Sequence, residues 1–432
     1  MDGTQEAPTV ATLRAHEHRG TVLEEVHARP FRPLGTPRRL LHFAFLTDAA
    51  EAEADRAALV RFCAERGVEQ PRDGVRQFRT VFGDKALRWE QHGEFTTYCW
   101  QLADGDGSLF IRQAGELAWP MGLIEQPGRH LVSVDLQLVR PEATPDLAAI
   151  FDAASLCSVT VEDGAARVST DFKAGADGFV RILVVNQGLD PTRTGALAQR
   201  LLELETYRLL ALLGLPEAQR LSEPIARIER SLVEITREMT RVDGLDANQR
   251  LLDRIAALAA ELEAGVAESL FRFGATRAYH GIVQGRLAAI HGEAAAGGET
   301  FDSFLSRRMT PALRTCAAIE ARQASLSSRL ARAAQLLRTK VDIELERQNR
   351  DILSTLSERT RLQLRLQHTV EGLSIAAVSY YVVGLIGHLA GLLPALGLTI
   401  DKEVVTAAAI PVVVAAVAWF ILMRVRRHKN IP

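Results

Sequence analysis

The chain has 432 residues, of which 47% are hydrophobic and 24% are charged, and its formal net charge is −2. That length allows two or three domains of ordinary size. A charge balance this even gives no global electrostatic reason to bind nucleic acid, so nucleic acid is not an expected partner. The charge is unevenly placed, because nearly all of it precedes residue 372 and almost none follows until a basic tail.

The N-terminal segment, residues 1–37, lacks the basic start and apolar core of a signal peptide. We therefore expect the soluble part of the chain to stay in the cytoplasm. The cysteines are consistent with a reducing compartment, because their spacing forms neither a zinc site nor a disulfide framework. They are Cys63, Cys99, Cys157 and Cys316.

Residues 38–190 are predicted to form a cytoplasmic α/β domain. We predict an acidic, alanine-rich helix over 48–67 and hairpin turns near His92–Gly93 and Glu162–Gly164. Because the connections are short, we expect a mixed, mostly antiparallel sheet with helices covering one face, which is an α+β fold. Apolar or alternating segments predict the strands, which lie within 42–47, 78–82, 86–102, 131–139, 158–172 and 179–187.

Two polar clusters, one in the N-terminal segment and one in the α/β domain, contain histidine beside carboxylates. This combination can bind a metal or act as an acid–base pair. Neither cluster has a spacing that defines a site, and the chain has no nucleotide-binding, zinc-protease or hydrolase motif. We therefore assign no catalytic residue, cofactor or metal ligand. Strand alternation places Glu90, His92 and Glu94 on one face, usually the solvated one. The clusters are Glu24, Glu25, His27 and Arg29, and Glu90, His92 and Glu94; Pro30 and Trp89 lie beside them and have no assigned role.

Residues 191–372 are rich in helix-forming residues and predict a bundle of four or five long helices that ends in a stalk. Turn signals occur at 214–216, 243–244 and 296–298. The last helix carries an apolar stripe with an eleven-residue repeat, typical of a coiled-coil-like packing surface. This stripe could pack between copies of the chain or against the helices of 191–296. Its members are Leu326, Leu330, Leu337, Val341, Leu345, Ile352 and Leu356.

Residues 373–393 and 404–423 contain no Asp, Glu, Lys or Arg. Each is about 30 Å long as a helix, which matches the hydrocarbon core of a bilayer, so we predict two transmembrane helices. A buried hairpin in a soluble core is the alternative. Nothing breaks the preceding helix before Gly372, so the stalk should enter the first span directly.

Arginines before the first span and the basic tail, residues 424–432, flank the outer ends of the predicted spans. The short connection, 394–403, has no positive excess, so we predict that it is non-cytoplasmic and that both termini are cytoplasmic. The expected location is the inner (cytoplasmic) membrane, crossed more than once, with the lipid bilayer as a partner.

The first predicted span contains candidates for helix packing or for lining a pore. Gly384, Gly387 and Gly391 recur on one face, where small residues let helices approach closely. His388 lies beside them, and an ionisable residue in a span can serve an ion or proton path. Tyr380 lies on the same span. Packing is the simpler interpretation.

Five segments together resemble a bacterial family of proteins of unknown function, DUF3422, and the resemblance covers nearly the whole chain. It implies no established activity. The segments are EVHARPF, WEQHGEFTTYCW, FRFGATRAYH, RRMTPALRTC and LRLQHTVEGLSIAAVSYYVVGL. The order of α/β domain, stalk helix, two spans and basic tail also resembles the CorA metal transporters. The Gly-Met-Asn motif of that group is absent, since the corresponding stretch reads GHLAGLLPALG.

Three hypotheses follow. The favoured one is a membrane-anchored, homo-oligomeric scaffold or interaction protein without enzymatic activity. The second is a CorA-like channel or transporter for an unidentified inorganic ion. The third is a membrane-tethered enzyme that uses the histidine and carboxylate clusters.

Overall fold

A computed structural model describes residues 14, 16–20, 22–23, 31–103, 109–110, 124–142, 146–295, 298–391 and 401–429. The chain divides into two compact units. Unit 1 comprises residues 1–234 and 256–331, and unit 2 comprises residues 235–255 and 332–432. Each unit is described by itself.

Unit 1 is built on a mixed sheet, and its described strands run in the order β2-β3-β4-β1-β5-β8-β7-β6-β9. β5 and β8 pair in parallel, whereas the other pairs are antiparallel, as the sequence predicted. The strands are β1 (Arg38–Leu46), β2 (Gln77–Phe82), β3 (Lys85–Gln91), β4 (Phe95–Leu102), β5 (Arg129–Val139), β6 (Cys157–Val161), β7 (Ala166–Thr170), β8 (Val180–Asn186) and β9 (Glu293–Ala294).

Both predicted hairpins are confirmed. β3 and β4 turn between Gln91 and Phe95, and β6 and β7 turn at Glu162–Gly164. Glu162, Asp163 and Gly164 all have positive φ angles, which suit the twist of a tight hairpin and explain why the sequence there is acidic followed by glycine.

Between residues 191 and 390 the described part of the chain forms four long helices, with breaks close to the predicted turns. The last of them continues past Gly372 without interruption, as predicted, and ends at Ala390. The helix after the connection is longer than the predicted span and extends into the basic tail. The helices are α1 (Ala49–Glu65), α2 (Leu147–Ile150), α3 (Pro191–Leu212), α4 (Gly214–Met239), α5 (Leu245–Ile290), α6 (Phe301–Ala390) and α7 (Lys402–Lys429).

Helices cover both faces of the sheet, so the expectation of one covered face is wrong. Side chains of β1 alternate between the two faces. Leu41, Phe43 and Phe45 pack with Leu59 and Phe62 of α1. Leu40 and Ala44 join the main core on the opposite face, to which α3 contributes Leu197 and Leu201 and α6 contributes Phe301 and Phe304. The strand thus contributes to both cores, whereas α1 packs on one face and α3 and α6 on the other.

A buried carboxylate links α1 to the sheet. Asp55 accepts hydrogen bonds from Trp89 Nε1 (2.8 Å) and from the Tyr98 hydroxyl (2.5 Å). Burial raises the pKa of Asp55, although both hydrogen bonds favour the charged form. Trp89 is fully buried at this contact, so its role in unit 1 is packing and donation to Asp55.

In unit 2, the early part of α6 packs against the hairpin formed by the end of α4 and the start of α5. Leu337 is fully buried, and Lys340 Nζ donates to the Met239 carbonyl at 2.5 Å. Farther along the stripe, Leu345, Ile352 and Leu356 are 42%, 58% and 51% exposed. The first part of the stripe therefore packs within the chain, and the second part is uncovered in a single chain.

We expect Asp55→Ala to lower the free energy of unfolding by about 3 kcal/mol, because it leaves two buried donors without an acceptor. Denaturant unfolding of the detergent-solubilised chain, followed by circular dichroism, measures this loss. Glu53→Ala, on the exposed side of the same helix, is the matched control and should change stability little. Equal stabilities for the two variants would contradict the account.

Candidate functional site

A polar pocket in unit 1 lies between one half of the sheet and helices α3 and α5. Its empty volume, counted to the open mouth, is about 760 Å³. Its walls are formed by Phe31, His42, Arg88, Glu90, His92, Phe95, Thr97, Cys99, Gln199, Leu202, Glu203, Thr206, Tyr207 and Arg286.

The pocket exists because polar residues interrupt two otherwise apolar surfaces. On β1, His42 follows the same alternation as Leu40 and Ala44 and so faces α3. On α3, Gln199, Glu203 and Thr206 recur at helical spacing and lie on the face turned toward the sheet.

A chain of hydrogen-bonded charges runs along one wall. Arg88 donates from Nε and Nη2 to Glu90 Oε1 (3.0 and 2.6 Å) and from Nη1 to Gln199 Oε1 (3.0 Å). Gln199 Nε2 donates to Glu203 Oε1 at 2.8 Å, and Arg286 Nε donates to Glu203 Oε2 at 2.5 Å. Two arginines thus balance two glutamates. The wall is polar but carries no net charge.

His42 is buried at the base of this arrangement. Its Nε2 lies 2.9 Å from Thr206 Oγ1, whose hydroxyl donates to the Leu202 carbonyl at 2.8 Å. The hydroxyl therefore accepts from Nε2–H, which leaves Nδ1 as the unprotonated nitrogen. Nδ1 is buried and has no hydrogen-bond partner among the residues the structure describes. Burial, helped by Arg88 and His92, lowers the pKa of His42 to about 3, so the ring is neutral at physiological pH.

The expectation of a solvated Glu90–His92–Glu94 face is wrong. Helices α3 and α5 pack over it, and the side chains of Glu90 and Glu94 are only 13% and 12% exposed. The His92 ring stacks on Phe95 with centroids 4.1 Å apart. Glu94 points away from Glu90 toward α5, where Arg272 binds both of its oxygens at 3.1 and 2.5 Å.

The structure therefore brings Glu90 and His92 into the pocket and places Glu94 in a separate ion pair. Trp89 lies on the opposite face of the sheet, with Asp55. Several predicted features lie outside the described residues, namely Glu25, His27, Arg29, Pro30 and most of the connection, residues 394–400.

Sequence reasoning missed the pocket residues His42, Gln199, Glu203 and Arg286. A histidine within the apolar strand HFAFLT and the polar spacing on α3 were available signals. No local signal marks Arg286, whose role depends on the packing of α5 over the sheet.

The chemistry of the pocket favours binding. Burial raises the pKa of the Cys99 thiol to about 12, so it is protonated and a poor nucleophile. Within the described ranges, no group of three or more His, Cys, Asp or Glu side chains is arranged to hold a metal ion. What the walls offer is a set of fixed donors and acceptors beside aromatic rings.

Unit 2 carries a second feature, a pair of apolar helices. Both α6 and residues 403–420 of α7 contain a stretch long and apolar enough to cross a membrane. Only 17% and 6% of these stretches are buried inside the chain, unlike the core helix of a soluble protein. Long apolar stretches of helix that remain uncovered are typical of membrane contact.

The two apolar helices contact each other at Gly387. A methyl group added to this glycine would lie 3.4 Å from Thr406 Oγ1, whereas the space beside Gly384 is open. His388 Nδ1 is bonded to the Gly384 carbonyl at 2.8 Å, and the backbone of Gly391 donates to the Gly387 carbonyl. Tyr380 is exposed and makes an edge contact with Tyr381.

The fold and these two features define a class: an α+β unit with a polar pocket, joined through one long helix to apolar helices that could cross a membrane. A family model described as a protein of unknown function, DUF3422, matches residues 14–429. The chain belongs to this family, which confirms the resemblance of the five segments. No curated protein matches the chain.

The lowered pKa of His42 predicts that the free energy of unfolding depends on pH. Between pH 6.5 and about 3 only the unfolded chain binds a proton at this residue, so stability falls as the pH falls through that window. From pH 7.5 to pH 5 we expect a loss of about 2 kcal/mol that His42→Phe does not show. Denaturant unfolding of both proteins at each pH measures the difference. Parallel pH profiles for the two proteins would contradict the assignment.

Proposed function

We propose that the chain is a homo-oligomeric, membrane-anchored interaction protein of the inner membrane. In this proposal it crosses the bilayer twice and keeps both termini and the sheet-containing unit in the cytoplasm. The main support for this proposal is the uncovered part of the apolar stripe on α6, which precedes the first apolar stretch and contains Leu345, Ile352 and Leu356.

The pair of apolar helices in unit 2 supports the anchor, because lipid is the solvent that such charge-free surfaces prefer. Charge supports the orientation. Arg359, Arg361 and Arg365 precede the first apolar stretch, and the sequence RVRRHK follows the second. Positive residues concentrate on the cytoplasmic side of membrane proteins, so both outer ends belong there.

Membrane anchoring also indicates what packs against the uncovered stripe on α6, the helix that forms the stalk. Two copies inserted in the same direction hold their α6 helices parallel and at the same height above the bilayer. Leu345, Ile352 and Leu356 of one copy then face the same residues of the other. Asn349 lies within this stripe, four residues after Leu345 and three before Ile352, where a buried polar residue fixes register in coiled coils. A second copy of the chain therefore fits the stripe.

Substituting two stripe residues tests the oligomer. We expect Ile352→Lys with Leu356→Lys to convert the oligomer to a monomer, because parallel, in-register stalks would bring the new charges together. Analytical ultracentrifugation of the full chain in mild detergent measures the mass. Ser354→Lys with Ser357→Lys adds the same charge outside the stripe and should leave the mass unchanged. A monomeric wild type, or an unchanged mass for the stripe variant, would contradict the proposal.

Ion conduction by the same oligomer is a second candidate, favoured by the ionisable His388 on an apolar helix. We rank it second because the Nδ1 of His388 is already bonded within its own helix. Selective cation flux into proteoliposomes, changed by His388→Ala, would reverse this ranking.

A further inference from the structure

We propose that the polar pocket of unit 1 is a binding site for a small zwitterion that carries both an ammonium and a carboxylate, the class of free amino acids. The site is separate from the stalk and from the apolar helices. It is identified by the hydrogen-bonding groups that the fold leaves unfilled.

The first unfilled group is an acceptor. His42 is more than nine-tenths buried and lines the pocket, and its Nδ1 has no partner within the described part of the chain. A buried acceptor without a donor is costly, and native proteins seldom leave one unfilled. A ligand N–H or O–H group at this position would satisfy it.

The second unfilled group is a pair of donors. Arg286 uses Nε to bind Glu203, and its two terminal nitrogens make no hydrogen bond to the described residues. The Arg286 side chain lines the pocket and is 38% exposed. A guanidinium end of this kind matches the two oxygens of a carboxylate.

Glu90 supplies the third group. Both of its hydrogen bonds from Arg88 end on Oε1, so Oε2 remains as an acceptor in the pocket that His42 also lines. Oε2 and His42 Nδ1 together suit an ammonium, which has three N–H donors.

Charge balance excludes ligands with a large net charge. The charges of the two arginines and two glutamates of the wall already cancel, so a polyanion such as a nucleotide would bring several uncompensated charges into the pocket. A zwitterion adds one charge of each sign and keeps the balance. Phe31, Leu202 and Tyr207 provide apolar surface for the body of the ligand.

Ligand-dependent thermal unfolding of the full chain in detergent tests the proposal. Fluorescence of Trp89 and Trp100, both buried in unit 1, reports on the unit that holds the pocket. The probes are the twenty free amino acids and, for any that raises the midpoint, the matching primary amine and the matching carboxylic acid. We expect at least one amino acid to bind, and both single-charge analogues to bind at least tenfold more weakly.

Two variants locate the site. Arg286→Gln should weaken binding at least tenfold, whereas Arg277→Gln should bind as the wild type does, because Arg277 on the same helix pairs with Glu320 outside the pocket. If Arg286→Gln fails to fold, Arg286→Lys and His42→Phe replace it, with the same expected loss. The proposal is overturned if no amino acid shifts the midpoint, if inorganic phosphate or the acid alone shifts it equally, or if the shift persists in the pocket variants.

Discussion

The organisation of this protein depends on one constraint: two long apolar stretches, one in α6 and one in α7, must be kept from water, and the chain itself covers little of their surface. Burying such helices in lipid is worth far more than any single contact elsewhere in the chain. The constraint also acts on α6 as a whole, because this helix runs unbroken from Phe301 to Ala390. In the proposed arrangement, the apolar end of α6 is the part that enters the bilayer, and the charged part of the helix precedes it.

Unit 1 is subject to a different constraint, because it buries several charged side chains. Asp55 accepts hydrogen bonds from two buried donors, and the pocket pairs each arginine with a glutamate. Burial costs of this kind are offset by the apolar cores on both faces of the sheet. His42 keeps one buried nitrogen without a partner among the described residues, as do Thr276 Oγ1 and His280 Nδ1 elsewhere in unit 1. Of these three residues, His42 is the one that lines the pocket.

Much of the fold could be predicted because its signals are local. Alternation revealed the strands, the acidic turn before Gly164 revealed one hairpin, and the lack of a break before Gly372 revealed a continuous helix. The pocket could not be predicted, because His42, Gln199 and Arg286 meet only through packing of distant segments. Alternation shows that two residues share a face but not what covers that face, which is why Glu90 was expected in water. The stripe on α6 has the same ambiguity, since its repeat is uniform although only its first part is covered.

The most direct test of the account is the accessibility of two engineered cysteines in bacterial spheroplasts that express the full chain. The four native cysteines are buried and give little background. The account predicts that an impermeant maleimide labels Asp401→Cys, in the connection, from outside the intact spheroplast. It predicts that Ser354→Cys, on the stalk, reacts only after lysis. Equal labelling at both positions, or recovery of the chain without detergent, would contradict a membrane hairpin.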